Sequence, residues 1–138
     1  MNKTEETTLI QVDTNQVVGQ RIAVANSFFR RFKGLMFEKS LGEYDGLLLT
    51  NTKQIHMFWM RFPIDVLYVK RVGQKKNGIL LEVVEITERM KPWAVGKWIS
   101  FATDVIELRE GTISKTGVSK GTLLLLKNRE FQIPPKGV

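Results

Sequence analysis

Ile64-Asp-Val-Leu-Tyr-Val69, the polar run Arg71-Val-Gly-Gln-Lys-Lys-Asn-Gly78 and the apolar run Ile79 to Thr87 read as one β-hairpin, the plainest in the chain. Both arms are rich in Val, Ile and Leu, which suit a pleated, half-buried surface, and the glycines and Asn between them supply turn chemistry. Working outward, Gly46-Leu-Leu-Leu-Thr50 and Thr122-Leu-Leu-Leu-Leu-Lys127 are short apolar runs of the kind found in buried strands. Thr8 to Asp13 and Val17 to Ala25, separated by Thr14-Asn15-Gln16, form a further hairpin or two successive strands. Ile55 to Met60 is read as a strand as well, with a bend at Phe62-Pro63, where the missing amide disfavours a central position. About seven short strands predict a mainly β domain, an antiparallel β-sandwich or partly closed barrel, with one or two short α-helices.

Two helices are expected. Asn26 or Ser27 caps one that runs through Met36, since Phe28, Phe29, Phe32, Leu35 and Met36 share one face. Ser100 caps the other, Phe101 to Glu110, in which Ala102, Val105, Ile106 and Arg109 align and Gly111 provides the stop. On that helix Asp104 and Glu107 lie one turn apart and are read as surface anions. Residues 88 to 98, with Trp93 and Trp98, form an irregular loop, and the tail from about 130 to 138 is expected to fray.

At 138 residues, with 43% apolar and 25% charged side chains, the chain has the make-up of a single globular domain. It has no Cys and one His, so disulfides, thiolate nucleophiles and Cys-containing metal sites are excluded, and neither a metal nor a cofactor is expected. The polar, acidic start lacks the pattern of a signal peptide, and no apolar run approaches the roughly 20 residues of a membrane span, so a soluble, cytoplasmic protein is expected. The net charge of +7 is uneven, +1 over residues 1 to 69 and +6 over residues 70 to 138. The basic residues are scattered near predicted turns, which favours solvated surface charge over a nucleic-acid patch.

The densest chemistry lies in Ile55-His56-Met57-Phe58-Trp59-Met60-Arg61-Phe62-Pro63-Ile64-Asp65-Val66, which holds the single histidine. Polar groups in such apolar surroundings are costly without hydrogen-bond partners, so His56, Arg61 and Asp65 are expected to have them. His56 could act as a general base oriented by Asp65; the competing reading is a histidine that fixes the bend at Pro63. Residues nine apart on an unbroken strand face opposite ways, so the two meet only if the bend brings them together. No nucleophile motif or phosphate-cradling loop accompanies them. Trp93 and Trp98 are candidates to flank a pocket here.

Three motifs resemble a family of small bacterial and archaeal proteins, domain of unknown function 192. Arg31, Gly34, Leu35 and Met36 match its Arg-x-x-Gly-Leu-Met motif. His56, Phe58, Met60, Phe62, Pro63, Ile64, Asp65 and Val66 match its central block, and Ala102, Val105, Glu107, Leu108, Gly111 and Thr112 match a third. The resemblance, from about Gln20 to Leu126, implies a compact, jelly-roll-like β domain and no transferable activity. Many relatives carry Gly-Asp before the last strand; this chain has Gly121-Thr122 and lacks that acid.

The first functional reading is a non-catalytic accessory module that binds a small polar ligand or a partner protein. Its candidate binding residues are Arg31, His56, Arg61, Asp65, Trp93 and Trp98. An acid/base hydrolase, lyase or isomerase using His56 and Asp65 is the alternative. Nucleic-acid binding through the basic C-terminal half ranks last.

Overall fold

The computed structural model describes residues 5–25, 41–58 and 60–128. Its strands are β1 (Glu6–Gln11), β2 (Val17–Ala25), β3 (Gly46–Thr50), β4 (Ile64–Lys75), β5 (Gly78–Met90), β6 (Asp104–Arg109) and β7 (Leu123–Asn128), and its one described helix is α1 (Thr112–Thr116). The strands close into a barrel in the order β1-β2-β3-β6-β4-β5-β7, with β7 returning to β1. Closure leaves few sheet edges, the chief one being Lys70 to Lys75 of β4, which pairs with β5 alone among the described residues. Of the two expected architectures the chain adopts the barrel. All pairings are antiparallel except β2 with β3, which run parallel through Ile22↔Gly46 to Ala25↔Leu49. The long connection 26–45 makes that pairing reachable, because parallel neighbours need a crossover of a dozen or more residues.

Strand β4 shows how the barrel is organised. Ile64 to Val69 are all buried, and alternation sends Leu67 and Val69 inward while Ile64, Val66 and Tyr68 face outward. The inner core joins Leu67 and Val69 to Leu9, Ile22, Leu48, Leu81, Ile106, Leu108 and Leu124. The outer core covers β3, β4 and β6 with Ile55, Met57 and Met60 from one loop and Ala102 from another. A strand buried on both faces reads as continuous apolar sequence, and β4 does.

The two barrel ends differ. At the end where β4 begins and β6 finishes, Ile113 of α1 and Val118 plug the interior and join the inner core. At the opposite end, Arg71 of β4 pairs with Asp104 of β6.

Two expected elements are corrected. Residues 104–109 form strand β6, not part of a helix from Phe101 to Glu110. Paired on both sides, with Leu49↔Val105 and Tyr68↔Val105, Asp104 to Leu108 are buried on both faces, and a short apolar run carries no periodicity that separates the two states. The helix begins after Gly111, which stands at its N-cap with φ 92°, and ends at Gly117 with φ 75°. Ile55 to Met60 is not a strand either: it makes one isolated bridge, His56↔Val95, and then turns. The helix expected from Asn26 or Ser27 to Met36 and the tail from 130 to 138 lie outside the described residues.

Candidate functional site

The histidine segment forms one side of a ribbon laid over the outer face of the barrel. Its partner is the segment from Trp93 to Ile99. The amide of Gly96 donates to the Ile55 carbonyl at 2.9 Å, Met57 to Ala94 at 2.7 Å, Trp93 to Met57 at 2.7 Å and Ile99 to Lys53 at 2.9 Å. Ile55, Met57 and Met60 turn down into the outer core, which anchors the ribbon. The upper side carries His56 and Phe58, with ring centroids 4.6 Å apart, and Trp93, 6.0 Å from Phe58. Trp93 is 55% exposed, Val95 60% and Trp98 65%. His56, Phe58 and Trp93 therefore stand as an exposed cluster on a hydrogen-bonded support.

Two local features are unusual. Trp93 has φ 71°, a left-handed conformation that is rare for a bulky side chain and costs of order 1 kcal/mol. The Phe58 amide donates to His56 Nδ1 at 3.2 Å. An accepting Nδ1 places the proton of the neutral ring on Nε2, which has no partner among the described residues.

Asp65 has a different role. It is fully buried and faces the plugged end of the barrel, where Oδ2 accepts from the amides of Gly111 at 3.1 Å and Ile113 at 2.9 Å, and Oδ1 accepts from the amide of Arg89 at 2.9 Å. Its carboxylate thus ties β4 to the end of β5 and to the first turn of α1. His56 and Asp65 are not brought together: one is exposed on the ribbon, and the other is sealed among backbone amides. Arg61 is exposed close to the ribbon, and Arg31 lies outside the described residues.

The outer face of the barrel buries polar groups that sequence reasoning missed. Tyr68 is fully buried, and among the described residues its hydroxyl has no hydrogen-bond partner of good geometry, although the Thr87 side chain lies near enough to ease its burial. Burial pushes this phenol above its ordinary range. Glu107 is buried on the outer face of β6, between Leu47 of β3 and Val66 of β4, and burial pushes its carboxyl up to about 7. Asp104 and Glu107 are therefore not surface anions one helical turn apart. An odd spacing on a strand sends them to opposite faces, and both are buried. A third-block glutamate set among Val, Ile and Leu was the available signal, but the helix reading turned it towards water.

The family model described as Uncharacterized ACR, DUF192, matches residues 9–126. A proposed transcription regulator from Sinorhizobium meliloti has a similar structure, with a TM-score of 0.67 at 23% identity over 88% of this chain and 92% of that one. A protein of unknown function from Novosphingobium aromaticivorans gives 0.66 at 19% identity over 86% and 82%. At these identities the likeness shows the fold. No curated protein matches the chain. Among the described residues, no helix is long and apolar enough to cross a membrane.

Proposed function

Since the chain belongs to the uncharacterised DUF192 family, we propose from geometry that it is a non-catalytic binding module whose contact surface is the aromatic ribbon. The carrying observation is the exposed His56, Phe58 and Trp93 cluster, mounted on a backbone ladder and held partly in a strained conformation. Rigid aromatics lose little entropy on binding and dominate interface energetics, as do nearby arginines such as Arg61. The occupant is a segment of a partner protein. A flat side chain would stack on Phe58 and Trp93, and an acidic group would meet His56 Nε2 and the exposed Arg61, Lys91 and Lys97.

Selection of a random peptide library on the intact protein, with counter-selection on a Phe58→Ser, Trp93→Gly variant, tests this reading. Enriched peptides should combine aromatic and acidic residues, quench tryptophan emission and lose at least about tenfold in affinity for the variant. If no peptide separates the two proteins, the reading fails. Saturable binding of a single-stranded oligonucleotide instead, weakening steeply with salt, would replace it with nucleic-acid recognition.

A further inference from the structure

We propose that the cavity at the barrel end opposite α1 is a separate site for a small amphipathic anion, of the class of a medium-chain carboxylate. Strand register makes the barrel a cup. Thr50 pairs with Asp104, Val69 with Asp104, Thr7 with Asn128 and Gly78 with Lys127, so one end of every strand meets at a single rim, opposite the α1 plug. At that rim lies a cavity of about 310 Å³, within the size range of small-molecule sites.

Its wall is apolar. Leu48 and Leu81 are buried, whereas Val24, Ile79 and Leu126 pack on the inner core yet remain partly exposed, and among the described residues no element corresponding to α1 covers them. Covering such surface is favourable by roughly 25 cal/mol per Å² removed from water, so an alkyl chain is the natural filling.

The rim selects charge. Asp104 is taken by Arg71, with Nε to Oδ2 at 2.9 Å and Nη2 to Oδ1 at 2.8 Å, and by the amide of Asn51 at 3.0 Å. Glu6 is taken by Arg21 at 2.6 Å. Of the charged residues lining the cavity, that leaves Lys75 and Lys76, which have no ion pair among the described residues, against Glu5. The excess is positive and sits beside an apolar wall. An anionic head at Lys75 and Lys76 with its chain along Val24, Ile79 and Leu126 satisfies both. This site lies on the barrel rim, so its occupancy is independent of the aromatic ribbon.

The test is a methyl NMR titration of the full-length protein with decanoate below its micelle concentration. Saturable shifts should be confined to Val24, Leu48, Ile79, Leu81 and Leu126, and the Lys75→Glu, Lys76→Glu protein should bind at least about tenfold more weakly. Decanol should be weaker by a similar factor. Val24→Phe and Leu126→Trp, which narrow the cavity from two sides, should each abolish the shifts while the other methyl signals keep their dispersion. Absence of saturable shifts, or shifts spread over the ribbon, overturns the site. Equal affinity for decanoate and decanol, or indifference to the charge reversal, overturns the assignment of an anion.

Discussion

The amide of Ile113 donates to Asp65 Oδ2 at 2.9 Å across 48 residues of chain, and this bond fastens the plug to the barrel. Because the same carboxylate also accepts from Gly111 and Arg89, Asp65→Ala leaves three amides without their acceptor. The expected loss is about 3 kcal/mol, since bonds to a charged acceptor are stronger than neutral ones and buried orphans are costly. Asp65→Asn should lose less, retaining one acceptor oxygen. Urea denaturation measures both. Asp65→Asn with wild-type stability would show that the charge is not what holds α1.

Gly96 occupies a position where a β-carbon would lie 2.7 Å from the Tyr68 hydroxyl and 3.1 Å from the Ile55 carbonyl. Gly96→Ala should therefore lift the ribbon and destabilise the protein by about 1–3 kcal/mol. Tyr68→Phe removes a buried hydroxyl that has no hydrogen-bond partner of good geometry among the described residues, so alone it should be neutral or stabilising by up to about 1 kcal/mol. Combined, the two should recover part of the alanine penalty. A double-mutant cycle measures that coupling, and strict additivity would mean that the hydroxyl is not the obstacle.

Glu107 gives stability a pH dependence of known sign. Its carboxyl rises from 4.5 to about 7 on folding through burial, so between those values the folded chain keeps a proton that the unfolded chain has released. This contribution is most favourable below about pH 4.5 and is lost as pH rises towards 7, after which it is constant. Its full size is on the order of 3 kcal/mol. Relative to wild type, Glu107→Gln should gain stability by that order between pH 4 and pH 8. Equal differences at both pH values would remove Glu107 as the source.

Trp93 offers a separation of function from stability. Glycine accepts the backbone conformation at φ 71° without strain, so Trp93→Gly should stay within about 1 kcal/mol of wild type while losing ribbon binding. A large drop in melting temperature would instead make the ring a structural lid.

Much of the barrel was legible in the chain. Gly46–Thr50 and Val17–Ala25 fall where their apolar runs end, and the hairpin of β4 and β5 is where its apolar arms place it, although the polar run Arg71 to Lys75 stays in β4 and only Lys76 and Asn77 turn. Two apolar stretches were misread because their state depends on neighbours. Asp104–Arg109 has helical spacing, but two flanking strands supply ladder bonds on both sides. Ile55 to Met60 has strand composition, yet its hydrogen bonds go mainly to the distant loop that carries Trp93.

Composition and local pattern alone determined a mainly β domain without thiol chemistry, together with the segment where aromatic and polar residues concentrate, because strand propensity, turn chemistry and residue type are local properties. Pairing, closure and facing belong to the tertiary structure. Only there does Asp65 turn to the α1 plug while His56 stays in solvent, and only there does a cavity form at one barrel rim beside Lys75 and Lys76. The physical reason is that long-range register decides which face of each strand is inward, and a shift of one residue would reverse every assignment.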